Sequence, residues 1–258
     1  MITCSEFYSS IHDLLCGAHP NVYPWHFQWL AIKHLNRDLR RLLPELSGRV
    51  LDVGCGLKPY ENLLTGALEY RGLDVKPGPQ VDLVISPRTA WPVPEASFDA
   101  VLSTQVLEHV SDLQFTLSEI HRVLSPGGVL ILSAPFIYNQ HGAPDDFFRW
   151  SKYGLKVLLG GEFEITNIKT QGRVGSTLGS LFLNWLDMSF NLTKGTRFLK
   201  GFLLPLWMIF SLLTNLFCTL IDCLDRTDSF YANVLVTARK KTPAAGDRLS
   251  ARAGPSNP

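Results

Sequence analysis

The sequence predicts an α/β fold: a doubly wound, mostly parallel sheet, joined late in the chain by an apolar helical insertion. Three observations carry this prediction. Residues 49–56, RVLDVGCG, are an apolar run ending in an acid and two glycines two apart. A strand buried on both faces of a parallel sheet reads as such a run, and the turn at its carboxyl end is where α/β proteins take ligands. Further short apolar runs alternate with stretches of helical spacing, which is the pattern of a sheet covered by helices on both faces. The helical stretch 113–124 halts at Ser125-Pro126-Gly127-Gly128, a stop signal placed just before the next apolar run.

Taken in order, residues 26–46 have helical spacing, with Phe27, Leu30, His34, Leu42 and Leu43 on the expected buried side and Ser47-Gly48 as the stop. Strands are expected over 50–53, 70–75, 81–85, 100–104, 129–133 and 164–170. The expected organisation is an N-terminal helical segment (1–46), a core formed by 47–174 with 229–241, a hydrophobic helical insertion (175–228) and a tail (242–258). The tail, rich in Ala, Gly, Pro and Ser, is expected to be disordered.

The first strand and its turn point to a nucleotide-like cofactor. Gly54 and Gly56 let the backbone bend sharply and approach a ligand with no side chain intervening. Asp74 closes a second short apolar run 22 residues after Asp52, where an acid is placed to accept hydrogen bonds from ribose hydroxyls. A dinucleotide loop wants a third glycine so that a diphosphate can sit on the helix N-terminus. Here Pro59 follows instead, and Asp52 stands where a diphosphate would be repelled. A cationic, phosphate-free adenosine cofactor fits better.

Four ordered motifs carry a family resemblance: DVGCG at 52–56, GLDV at 72–75, WPVPEASFDAVLSTQVLEHVSD at 91–112 and HRVLSPGGVLILSAPF at 121–136. Together they resemble class I S-adenosylmethionine-dependent methyltransferases, in particular the type 11-like subgroup, over residues 47–170 and again at 230–240. The resemblance implies a Rossmann-like seven-stranded sheet whose last strand, 231–239, runs antiparallel beside 164–170. It implies S-adenosyl-L-methionine as cofactor and no metal. It places Asp52 near the methionine amino group, brings Gly54, Cys55 and Gly56 close to the ligand, gives Asp74 the ribose and Val75 the adenine, and sets Gln105 and Val106 beside the sulfonium. One position departs from the pattern: relatives carry an acid for the adenine amino group just after the third strand, and this chain has Ser86-Pro87-Arg88.

Methyl transfer from a sulfonium is an in-line displacement, so a protein mainly aligns donor and acceptor. Candidates for acceptor chemistry are Glu108-His109, after the fourth strand, of which His109 would face the acceptor, and His141, Asp146 and Arg149 in YNQHGAPDDFFRW at 138–150, after the fifth. His141 titrates near neutrality, Asp146 would orient it or hold Arg149, and Arg149 would grip an acidic acceptor or stack on a ring. For Glu108 and His109, helix packing and loop hydrogen bonding is the favoured role. For the later loop, bracing and function weigh equally.

The insertion is the main departure from a plain core. Residues 201–221, GFLLPLWMIFSLLTNLFCTLI, carry no charge and are long enough to cross a bilayer. A single crossing would strand the final strand on the wrong side of the membrane. The best partner segment, 177–192, is short and carries Asn184, Asp187 and Asn191. A helical hairpin in the membrane interface or one leaflet is therefore expected, with a substrate lid or a homodimer contact as the alternatives. Trp25 and Trp29 ahead of Lys33, Arg37, Arg40 and Arg41 are consistent with an anionic lipid surface.

A chain of 258 residues with 46% hydrophobic content suits one large α/β domain with decorations. Its formal charge of +1 argues against a nucleic-acid partner. Cys4, Cys16, Cys55, Cys218 and Cys223 form no paired framework, and the N-terminus shows no secretory pattern. A cytoplasmic protein, peripheral or monotopic at the inner membrane, is expected. The acceptor would be a small or lipid-linked molecule such as a polyprenyl-linked sugar, a quinone-like ring or a glycolipid. The other expectation is a catalytically silent cofactor-binding scaffold of a membrane complex. A nicotinamide oxidoreductase would need the diphosphate loop that this chain lacks.

Overall fold

The computed structural model describes residues 12–242; the expected disordered tail at 243–258 lies outside them, as do residues 1–11. Seven strands form one sheet in the order β3-β2-β1-β4-β5-β7-β6. They are β1 (Gly48–Val53), β2 (Ala67–Asp74), β3 (Leu83–Val84), β4 (Phe98–Thr104), β5 (Leu124–Pro135), β6 (Phe163–Gln171) and β7 (Asn233–Lys240). β1, β2, β3, β4 and β5 pair in parallel, and β7 runs antiparallel between β5 and β6.

The pleat of β1 sets the two faces of the core. Leu51 and Val53 join one buried cluster with Leu73, Trp91, Ile120, Leu130 and Leu155. Val50 joins the other, with Leu35, Leu39, Leu43, Ala100, Leu102 and Ile131. Helix α1 (Trp29–Leu42) covers the second face. Helices α2 (Leu113–Val123) and α3 (Lys152–Leu159) cover the first, each opened by a side-chain cap: Asp112 accepts from Phe115 N–H at 3.2 Å and Ser151 from Gly154 N–H at 3.1 Å.

Some boundaries differ from the sequence expectation for physical reasons. α1 ends at Leu42 and not near 46, because Pro44 offers no backbone N–H and forces a tighter 3₁₀ turn over Leu43–Glu45. Of the expected buried side, Leu30 and Leu43 are buried, while Phe27, His34 and Leu42 are half-buried. The inward stripe also includes Asp38. β5 begins at Leu124, paired with Phe98, so Ser125-Pro126-Gly127-Gly128 is an irregularity inside the strand, where the register shifts. β3 keeps only Leu83–Val84 of the run expected over 81–85, and Val75 falls just beyond β2.

Three helices lie between β6 and β7: α4 (Val174–Phe190), α5 (Lys194–Phe202) and α6 (Leu204–Leu224). α4 and α6 pack closely through small residues. A Cβ on Gly175 would collide with the Cys218 carbonyl, and one on Gly179 would lie 2.6 Å from Cys218 Sγ. Their buried residues are largely polar, Ser176, Thr177, Ser180, Asn184 and Asp187 from α4 and Ser211, Asn215 and Asp222 from α6, beside the apolar Leu183, Leu204, Trp207 and Cys218. Their outer faces are apolar, with Leu178, Phe182, Trp185, Leu206, Ile209, Leu213, Phe217 and Leu220 exposed.

Candidate active site

The turn after β1 is built to hold Asp74. Gly54 and Gly56 adopt φ of 72° and 51°, in the left-handed region that side-chain-bearing residues avoid. Gly54 N–H donates to Leu73 O at 2.8 Å, which ties the turn to β2. Gly56 N–H then donates to Asp74 Oδ2 and Lys76 N–H to Asp74 Oδ1, each at 3.0 Å. The carboxylate is thereby fixed at the carboxyl edge of the sheet. Gly54 has a second reason to be glycine: a Cβ there would lie 2.5 Å from Val106 Cγ2.

A cavity of about 490 Å³ opens at this edge, between the ends of β1, β2 and β4. Of the residues expected to bind the cofactor, Gly54, Asp74, Val75, Gln105 and Val106 form part of its wall. Asp52, Cys55 and Gly56 do not. Gly56 acts through its bond to Asp74. Cys55 is buried, and a Cβ on Gly72 would lie 2.5 Å from its Sγ; burial pushes its thiol up to about 12, so it is no nucleophile at neutral pH. Asp52 is 2% exposed and accepts the Tyr70 hydroxyl at 2.5 Å. Burial pushes its carboxyl up to about 7, against the opposing pull of that hydrogen bond.

Gln105 has φ of 55°, and its backbone N–H donates to Ser133 O at 3.0 Å. Its side-chain nitrogen donates to Ser133 Oγ at 3.0 Å and to Asn233 Oδ1 at 2.8 Å. Asn233 in turn donates to Gln171 Oε1 at 2.6 Å, and Gln171 to Asp38 Oδ2 at 2.9 Å, with Lys169 closing the line on Asp38 at 2.8 Å. The hydrogen-bonded line runs from the cavity wall back to α1. Sequence reading did not find it, because bonded partners in it lie up to 133 residues apart.

At one end of the cavity, just after β3, Ser86, Pro87 and Arg88 line the wall beside Trp91 and Asp112. Arg88 and Asp112 form an ion pair at 3.3 Å. Neither Trp91 nor Asp112 was singled out from the sequence.

The other end belongs to the 3₁₀ turn Leu107–His109 and to the loop between β5 and α3. His109 is on the cavity wall, and its ring stands 4.9 Å from that of His141, edge to face. Between the rings lies Glu108, 0% exposed, whose two carboxylate oxygens accept no hydrogen bond. The proximity of this carboxylate raises the His141 imidazole above its ordinary value. Glu108, expected with His109 to serve helix packing and loop hydrogen bonds, is instead buried with no hydrogen-bond partner on its carboxylate.

Asp146 and Arg149 are brought together, away from the cavity wall. Arg149 donates to both carboxylate oxygens of Asp146, at 2.6 and 2.8 Å, and also to the carbonyls of Tyr138, Asn139 and Phe148. This guanidinium has no free edge for an acceptor, so the expected grip on an acidic ligand gives way to bracing of the loop. The Arg149 pair holds the Asp146 carboxyl far below the usual carboxylate range. Asp146 also accepts His141 backbone N–H at 2.8 Å, which fixes the loop carrying His141. That loop rests on α4: Asn184 donates to Asn139 Oδ1 at 2.9 Å.

Comparison with known proteins agrees with this architecture. The methyltransferase domain family matches residues 51–132. A Mycolicibacterium smegmatis protein named "Probable S-adenosylmethionine-dependent methyltransferase" is 36% identical over 107 residues, 37% of this chain and 42% of its own length. A demethylmenaquinone methyltransferase of Lysinibacillus sphaericus is 30% identical over 112 residues, 37% of this chain and 48% of its own. The chain thus spans under half the length of these two curated relatives. Among solved structures, the [4+2]-cyclase SpnF superposes with a TM-score of 0.55 at 20% identity, over 83% of this chain and 84% of that one, a likeness of fold. The methyltransferase-domain match over residues 51–132 falls on the strands and turn that fix Asp74, and with the ordered motifs and the reversed β7 the chain resembles class I S-adenosylmethionine-dependent methyltransferases.

Proposed function

We propose that this protein transfers a methyl group from S-adenosylmethionine to a small or lipid-linked acceptor at a membrane surface. The observation that carries the reading is a juxtaposition. The 138–150 loop, whose Gly142, Asp145 and Phe147 line one end of the cavity, is hydrogen-bonded to α4, in a hairpin with many polar residues inside and apolar residues outside, while His141 itself stands behind the wall.

That inverted pattern is the one expected of helices that face lipid, where small and polar residues make the helix contacts. In water, exposed apolar area on this scale is a liability unless something covers it. Among the described residues, Leu204–Leu224 is the one helix long and apolar enough, by length and composition, to cross a membrane. Asp187, an apparent obstacle in the sequence, is paired in the hairpin with Lys200 at 2.5 Å and Asn191 at 2.9 Å. Both ends of the hairpin return to the core, so it enters the interface from one side and β7 rejoins the sheet. A second cavity of about 590 Å³ at its base is lined by Lys33, Arg37, Lys169, Arg173 and Arg226 against Asp222 and Asp228, a balance that suits anionic headgroups. The demethylmenaquinone methyltransferase among the relatives bears a name of the same substrate character.

In this reading Asp74 holds the ribose, Gly54 and Val106 border the sulfonium, and the acceptor reaches the His109 end of the cavity from the hairpin side. A second reading, a silent cofactor-binding scaffold, rests on Arg88 standing where relatives carry the adenine-side acid. Vesicle sedimentation tests the membrane part. Wild type is expected to sediment with anionic vesicles, and Leu213→Lys with Phe217→Lys to lower the bound fraction at least tenfold, because each exposed side chain contributes about 1.5–3 kcal/mol on burial. Unchanged sedimentation of the double variant would contradict the hairpin's role. Transfer of labelled methyl groups to extracted lipids separates enzyme from scaffold.

A further inference from the structure

We propose that Glu108, His109 and His141 form a binding site for one first-row divalent cation of the zinc class, at the acceptor end of the cavity. The three donor atoms lie within 4.8 Å of one another.

The argument begins with the tautomers. His109 Nδ1 lies 2.5 Å from the Asp145 carbonyl oxygen, which can only accept, so Nδ1 carries the hydrogen and Nε2 is left with its lone pair. His141 Nδ1 lies 3.4 Å from the Asn139 carbonyl oxygen, again an acceptor, so in the neutral ring its Nε2 has the same character. Both Nε2 atoms point at Glu108 Oε1, from 3.9 and 3.7 Å. Two lone pairs and a buried carboxylate therefore converge on one spot.

Such an arrangement needs positive charge at its centre, because a buried ionised carboxylate without partners costs several kcal/mol. A proton on one imidazole supplies charge, but separations of 3.7–3.9 Å are too long for the hydrogen bond it would make. A cation bonded at about 2.1 Å with tetrahedral angles sets its ligand atoms roughly 3.4 Å apart. The histidine–glutamate separations of 3.9 and 3.7 Å need to close by a few tenths of an ångström, and the widest donor pair, within 4.8 Å, by up to about 1.4 Å, a shift for side chains on a turn and a loop.

The surroundings fit as well. Metal-binding histidines characteristically donate the other ring N–H to a carbonyl or carboxylate, which fixes tautomer and orientation. Asp145 O serves His109 in this way, and Asn139 O serves His141. Two imidazoles and one carboxylate are a donor set of zinc sites that keep a position open for a further ligand. With His109 on the cavity wall, that position borders the cavity and would take an oxygen of the acceptor. Arg149 and Asp146 then gain a purpose, since they hold the loop that brings His141 to Glu108.

The test uses the full chain stripped with a chelator and titrated with Zn²⁺ by calorimetry, with bound metal measured after gel filtration and Co²⁺ as a spectroscopic probe. Expected are one equivalent of zinc, visible Co²⁺ absorption of a nitrogen and oxygen site, and at least a hundredfold weaker binding in both Glu108→Gln and His141→Ala. S-adenosylhomocysteine binding by His141→Ala shows that the variant is folded and is measured independently of metal. Binding of less than a tenth of an equivalent by folded wild type would overturn the proposal. So would zinc binding that survives both substitutions or shows the intense ultraviolet charge transfer of cysteine ligation. A protein that binds zinc but not S-adenosylhomocysteine would sink the methyl-transfer reading and leave the metal site standing.

Discussion

Gln105 and Asn233 are joined by a 2.8 Å hydrogen bond across the edge of the sheet, which ties the residue after β4 to the first residue of β7. Gln105 sits on the cofactor cavity in a left-handed conformation, and such backbone persists only where its surroundings hold it. Ser133 and Asn233 hold it, and Asn233 is itself held by Gln171 and, through it, Asp38.

Asn233→Leu should therefore loosen a site that it does not touch. Gln105 and Gln171 each lose a buried partner, at a cost of about 1–3 kcal/mol apiece. The expected outcome is a Tm lower by roughly 5 °C or more, with weaker binding of S-adenosylhomocysteine. Unchanged affinity, measured by calorimetry on the folded variant, would show that Gln105 needs no such support.

Asp146→Asn separates bracing from ligand binding. The change removes the charge that accepts two hydrogen bonds from Arg149, and thermal or urea unfolding should register a loss of about 2 kcal/mol. Cofactor affinity should stay within about twofold, because neither residue lines the cavity. A large loss of cofactor affinity at wild-type stability would contradict the bracing role.

Asp52 should set part of the pH dependence of stability. Its carboxyl is pushed up to about 7 from 3.8, so the folded protein keeps a proton that the unfolded chain has already lost between those values. Stability then falls as pH rises through this window and levels off above it, by up to about 4 kcal/mol from this group. Asp52→Asn should remove that decline and be more stable than wild type at pH 8. Parallel stability profiles for the two proteins from pH 4 to 8 would rule the mechanism out.

The part of the site legible in the sequence was the part made by neighbours. Gly54, Gly56 and Asp74 belong to two adjacent strands and a tight turn, so spacing alone places them. The rest depends on partners far along the chain. Asp187 reads as a charge that spoils an apolar helix until Lys200 is seen beside it. Asn184 reads as surface until it is found on Asn139. The inner seam of α4 and α6 is hidden for a related reason: hydrophobic periodicity assumes apolar residues inside, and this hairpin reverses the rule. Glu108 was legible only as a packing partner of His109, because nothing in the local sequence shows that its carboxylate is buried. Its burial comes from the 138–150 loop, whose Phe147 N–H donates to Glu108 O at 2.7 Å.

The central claim is that the cavity beside Asp74 binds S-adenosylmethionine, and titration calorimetry with S-adenosylhomocysteine on wild type and Asp74→Ala tests it most directly. The prediction is micromolar binding by wild type and a loss of roughly tenfold to a hundredfold in the variant, the worth of hydrogen bonds to a charged group, with its unfolding temperature nearly unchanged. No binding by folded wild type, or equal binding by both proteins, would contradict it.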